Sequence, residues 1–144
     1  WRGIIGDHPA LDEPGGFGSN LAVIGLLEDQ VHIGDRFRLG TALIEVSQPR
    51  QPCWKIEHRF GHKGMVAQIV TTGRCGWYFR VLETGEVAAG DSLERVAIGA
   101  AEWSVARVFR ALVAGKASAE ELAQLADLAT LTPRLRAKAA ARRG

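Results

Sequence analysis

Polar and apolar positions alternate along Arg36-Phe37-Arg38-Leu39, with two apolar side chains on one face and two cations on the other. A period of two predicts a half-buried strand. Gly40-Thr41 reads as a turn into a second strand, Ala42-Leu43-Ile44-Glu45-Val46. Cys75, Trp77, Phe79 and Val81 share one face of a third, and Leu21 to Ile24 forms a further short strand behind a glycine-rich run. Beyond residue 100 the period changes. Val105, Phe109, Leu112 and Val113 recur at helical spacing, and Gly115 ends that helix. Ser118-x-x-Glu121 is a capping box opening a second helix that carries Leu122, Leu125 and Leu128. Thr132 as N-cap and Pro133 at the first helical position open a third.

Composition shifts at the same place. Glycine punctuates the first hundred residues, whereas only Gly115 and Gly144 follow and alanine takes over. The pattern predicts a mainly β body with a small three-helix unit behind it. Val31-x-x-Gly34-Asp35-x-Phe37 recurs as Val87-x-x-Gly90-Asp91-x-Leu93, a turn feeding a strand twice over. Two such units suggest a sheet that closes on itself, although Gly-Asp turns are common in any β protein.

The chain has 144 residues, enough for one domain with a small appendage and long enough to fold without disulfide or metal. No apolar run reaches the ~18–20 residues of a membrane span. Two cysteines 22 positions apart do not make a secreted disulfide framework, so a cytoplasmic setting is expected. The only methionine is Met65 and the chain opens on Trp1, which predicts further polypeptide upstream.

Net charge is +2, too small to imply a nucleic-acid partner by itself. Its distribution says more. From Gln48 to Leu82, Arg50, Lys55, Arg59, Lys63, Arg74 and Arg80 face Glu57 alone, a cluster suited to a phosphate-sized anion. Within it, Pro52 fits the first position of a helix, Ile56 and Phe60 form its apolar stripe, and Gly61 stops it. Cys53 is thereby expected in the first helical turn, where the dipole favours a thiolate, both nucleophile and soft metal ligand. A buried, inert cysteine is the competing reading. Cys53, His58, His62 and Cys75 fit none of the usual zinc spacings, and Gly61 interrupts the helix that would align the histidines. Hydrolase elbows, P-loops and dinucleotide fingerprints are missing from the sequence. Gly15-Gly16-Phe17-Gly18 reads as a mobile or tightly packed loop rather than a nucleotide cradle.

Ser47-Gln48-Pro49-Arg50-Gln51-Pro52-Cys53-Trp54-Lys55, followed by Gly73-Arg74-Cys75-Gly76-Trp77-Tyr78-Phe79-Arg80-Val81-Leu82, closely resembles the MOSC family, named for the C-terminal domain of molybdenum cofactor sulfurase. Phe17-Gly18-Ser19-Asn20-Leu21 and Ile33-Gly34-Asp35 fit as well. Within the family the chain looks like the bacterial branch linked to hydroxylaminopurine resistance, which carries a three-helix C-terminal domain. The resemblance implies a MOSC β-barrel over residues 1–98, its N-terminal part missing before Trp1, and a three-helix domain over 99–144. It implies a molybdenum–molybdopterin cofactor with Cys53 as metal ligand and catalytic residue. Arg50 and Lys55, with Arg74 and Arg80, become contacts to the pterin's phosphate, Asn20 a pocket residue, and Cys75 a structural one. The implied activity is reduction of N-hydroxylated bases or similar small molecules. A glutamate usual before the asparagine is replaced here by Ser19.

Two other readings stand beside this one: a carrier holding the cofactor or a sulfur group without turnover, and a metal-free thiol enzyme pairing Cys53 with a histidine. Two cysteines cannot hold an iron–sulfur cluster and no flavin or haem motif is visible, so a reductase requires an electron-donating partner, expected to be a flavoprotein. The basic run Arg134, Arg136, Lys138, Arg142 and Arg143 is a docking surface for it, a homodimer contact, or a solvated face.

Overall fold

The computed structural model describes residues 1–143; Gly144, the last residue of the expected helical unit, lies outside the described residues. Four strands, β1 (Arg36–Leu39), β2 (Ala42–Pro49), β3 (Trp77–Glu83) and β4 (Leu93–Ala97), form one antiparallel sheet in the order β3-β2-β1-β4. The β1–β2 hairpin turns on Gly40-Thr41 as the alternation predicts. Gly40 takes φ +53°, and a Cβ there would lie 2.2 Å from the Glu86 carbonyl oxygen, so both backbone and space demand glycine. The two echoing Gly-Asp turns do feed β1 and β4, and those strands pair with each other.

The expected closure into a barrel is corrected. Among the described residues the sheet is open, with β3 and β4 as its edges. Four strands of four to eight residues are too few to wrap around a packed interior. The Leu21–Ile24 strand does not form either: those residues are exposed and pair with no strand. In β3 the alternation breaks, leaving Val81 exposed and Cys75 ahead of the strand. Two register shifts in the β2–β3 pairing, at Leu43/Ile44 and Val46/Gln48, put the two faces out of phase.

Helices join the strands: α1 (Arg2–Ile5), a 3-10 turn Pro9–Leu11, α2 (Lys55–Phe60), α3 (Met65–Thr72), α4 (Val105–Leu112), α5 (Ala119–Asp127) and α6 (Pro133–Ala141). Ile56 and Phe60 are buried and Gly61 ends α2 in the left-handed region, as read from the sequence. Pro52 and Cys53, however, precede the helix, which starts at Lys55 with Trp54 as N-cap. β2 runs on to Pro49, so Arg50–Cys53 must make the connection, and the Cys53 carbonyl closes a turn with the Ile56 N–H at 3.1 Å. The helical pattern after residue 100 matches α4, α5 and α6, with the Ser118–Glu121 capping box formed on both sides.

One contiguous core holds these parts. Val31, Ile33, Phe37, Ile44 and Val46 from the sheet side pack in the same cluster as Val105, Phe109, Leu112, Leu125 and Leu135 from the helices. No described helix is long and apolar enough to cross a membrane.

Candidate functional site

The two sequence motifs meet at one end of the sheet. β2 ends at Pro49, and the next residue, Arg50, donates its N–H to the Gly76 carbonyl at 2.9 Å. Gly76 in turn donates its own N–H to Glu28 Oε1 at 2.8 Å. The segment carrying Cys53 is thus stitched to Gly73–Gly76, and the site is bounded by a carboxylate that the sequence reading did not single out. Glu28 lies 48 residues from Gly76 and in no motif, so only the fold reveals it.

Cys53 and Cys75 are both free thiols with opposite surroundings. Cys53 is exposed on the β2–α2 connection, next to Trp54, itself 68% exposed. Cys75 is buried, and burial, reinforced by the Glu28 charge, pushes its thiol up to about 12. Its Sγ lies 3.1 Å from the Gly76 carbonyl oxygen.

The cations divide. Arg59 donates to the Gly16 carbonyl, which ties down the glycine-rich loop; a Cβ on Gly16 would sit 1.7 Å from the Ala10 oxygen, so this loop is tightly packed. Arg50 Nη2 lies against the same loop, 3.8 Å from where a Gly18 Cβ would be, and Asn20 follows two residues on, exposed. Lys55 and Arg74 are exposed. Among the described residues Arg50, Lys55, Lys63 and Arg74 have no carboxylate within ion-pair distance, which leaves their charge available to an anion. Arg80 is different. Its Nε lies 3.4 Å from buried Glu45, its Nη2 donates to the Thr130 carbonyl, and the register sets Arg80 opposite Glu45 while Trp77 stands opposite Pro49. Four strand residues, about 13 Å, separate it from the end of β2. The fold therefore sets Arg50 against Gly18 of the loop that leads to Asn20, with Cys53 on the same connection as Arg50 and Arg74 on the adjoining segment, and engages Arg80 elsewhere.

Trp77 Nε1, at the start of β3, is buried without a hydrogen-bond partner. His58 is exposed and His62 half-buried, and no group of three potential metal-binding His, Cys, Asp or Glu side chains gathers among the described residues. Two clefts lie elsewhere: one of about 880 Å³ lined by residues including Ile24, Phe37, Leu93 and Arg95, and one of about 120 Å³ between the end of α3 and α4. Neither is lined by Cys53, Arg50, Lys55 or Arg74.

The family model described as MOSC domain matches residues 1–94, and the model described as YiiM-like, 3-alpha helix domain matches residues 103–143. The uncharacterized protein YflK of Bacillus subtilis is 54% identical over 83 residues, 58% of this chain and 38% of its own length. A Gibberella moniliformis protein named Reductase is 36% identical over 129 residues, 89% of this chain but 23% of its own. The crystal structure of YiiM from Geobacillus stearothermophilus superposes with a TM-score of 0.86 at 34% identity, covering 92% of this chain and 68% of that one. The chain thus spans well under half the length of these two curated relatives.

Proposed function

The chain belongs to the MOSC domain family, and from that premise we propose that it binds the molybdenum cofactor through Cys53 and reduces N-hydroxylated bases or related small molecules. The observation that carries this reading is the pairing of an exposed, free Cys53 with the unneutralised cations of its own and the adjoining motif. The donor chemistry fits the group. Molybdenum accepts a soft thiolate, and an anionic pterin needs nearby positive charge. Arg50, Lys55 and Arg74 would hold the phosphate, with Asn20 at the pocket's edge. Arg80, which the resemblance also implies as a phosphate contact, serves better as the strut that holds β3 on Glu45. The buried Trp77 N–H is one more donor that a bound group would satisfy.

The cofactor, when bound, supplies the two electrons that convert R–NH–OH with two protons into R–NH2 and water. The chain's own part would be to hold the anionic group through Arg50, Lys55 and Arg74. The Gly15–Gly18 turn is fixed beside Arg50 by Arg59, and burial keeps the Cys75 thiol protonated. A relative named Reductase favours turnover over a mere carrier role.

The electrons must come from a partner, proposed to be an acidic flavoprotein docking on α6. Arg134, Lys138 and Arg142 fall four residues apart there; burial and the Arg142 and Arg134 charges push the Lys138 ammonium down. Arg136 and Arg142 also donate to the Ala126 and Leu112 carbonyls, which leaves Arg134, Lys138 and Arg143 as the freer charges. The test is hydroxylamine-type substrate reduction by the molybdenum-loaded chain with a chemical reductant. Turnover that disappears in Cys53→Ser supports the proposal; equal turnover in the variant contradicts it.

A further inference from the structure

Three consecutive residues between α5 and α6 pack onto the sheet, and the last of them, Thr132, holds the strand that leads to Cys53. Thr130 accepts from Arg80, and its side chain lies 3.1 Å from where a Gly34 Cβ would stand. Leu131 is fully buried. Thr132 donates its N–H to the Ser47 carbonyl at 3.3 Å and its hydroxyl to Gln48 Oε1 at 2.8 Å.

The hydroxyl bond departs from the local rule. Thr132 occupies the N-cap of α6 with extended backbone, φ −59° and ψ 145°, ahead of Pro133, yet its side chain makes no capping bond. Ser104 and Ser118, in the same place on α4 and α5, do cap, accepting from Arg107 and Glu121. Thr is a good cap residue, so α6 forgoes an ordinary source of stability while the hydroxyl reaches a side chain 84 positions away. Rules broken locally with a compensating long-range contact tend to mark sites under functional demand. Gln48 is followed by Pro49 and then by Arg50, whose N–H holds Gly76. Orienting Gln48 therefore orients the exit of β2 on which Arg50 and Cys53 sit.

We infer that Thr132 is a positioning residue: its hydroxyl, through Gln48, sets the Arg50–Cys53 segment against Gly73–Gly76, so that the helical unit completes the site. This rests on the reading of Cys53 as the cofactor ligand. Partners bonded directly to a metal ligand change affinity by roughly 10–100-fold when removed; Thr132 acts at a further remove, through Gln48 and the chain to Cys53, so the low end of that range is expected.

The experiment compares the full chain with Thr132→Val, Thr132→Ser and Gln48→Met. Amide hydrogen exchange is followed over residues 47–53 and at Arg134 and Leu135, and molybdenum retained on gel filtration is followed with dilution. Thr132→Val and Gln48→Met are expected to raise exchange over 47–53 and to weaken molybdenum retention, each about tenfold. Exchange at Arg134 and Leu135 should not change, and Thr132→Ser should restore both wild-type values. Faster exchange in the first turn of α6 alone would make Thr132 an ordinary cap and overturn the inference. Loosening of 47–53 without any change in molybdenum retention would overturn it too. A wild-type chain that takes up no molybdenum contradicts the Cys53 reading instead, and the exchange arm then decides the Thr132–Gln48 latch alone.

Discussion

Two thiols on adjoining segments differ in what decides their chemistry, and that difference is testable residue by residue. Cys75 is raised from 9.0 to about 12, chiefly by burial. Below pH 9 folded and unfolded chains both hold its proton, so it adds no pH dependence; as pH rises from about 9 towards 12 the unfolded chain ionises first and stability falls. Melting curves across that window should show a slope of at most about 1.4 kcal/mol per pH unit from this group, absent in Cys75→Ala. Native alkylation near neutral pH should label exposed Cys53 and spare Cys75. Glu45 is 4% exposed and is held by Arg36 at 2.9 Å and Arg80 at 3.4 Å. Arg80→Met should lower stability by about 2 kcal/mol in urea titration, because a buried carboxylate loses one of two cations. A neutral result would return Arg80 to the list of free contacts. The Cys53 motif was legible because its residues are consecutive. Glu28, Gln48 with Thr132, and the engagement of Arg80 were not, because each depends on a contact 35 or more residues away that no local spacing encodes.

At the level of elements, legibility followed how much of the determining physics is local. The β1–β2 hairpin and the three C-terminal helices were readable from alternation, a two-residue glycine turn and capping signals. Ser118→Ala should therefore cost about 1 kcal/mol in thermal or urea unfolding, since its hydroxyl accepts from the Glu121 N–H at 3.1 Å. The start of α2 was misplaced because Pro52 suits a first helical turn, while the length of β2 requires Arg50–Cys53 as a connection. α3 escaped notice because Val66, Ile69, Val70, Thr71 and Thr72 are β-branched. It is secured from outside its own sequence, by Glu57 Oε1 accepting from Gly64 and Val66 at 3.0 and 3.1 Å. The phase of β3 was lost to register shifts, which arise from pairing and leave no mark in one strand.

For the whole molecule, the shared core makes the helical unit part of the fold that presents the site. Phe109 is 1% exposed in a cluster that also contains Ile33, Phe37 and Val46. Phe109→Ala should cost about 3–5 kcal/mol, and the wild-type chain should unfold in a single calorimetric transition. Two separated transitions would mean that sheet and helices are independent. Sheet closure was the least legible feature: the pattern suggested a barrel where the described residues form an open sheet, because closure depends on how many strands assemble rather than on the pattern in any one. The central claim is that Cys53 ties this chain to molybdenum, and elemental analysis tests it most directly. The chain and its Cys53→Ala variant are produced in a host that makes the molybdenum cofactor and in one that cannot. Near-stoichiometric molybdenum in the wild-type chain from the first host alone, lost in the variant, is the predicted result; no molybdenum from either host, or equal amounts in the variant, would contradict the account.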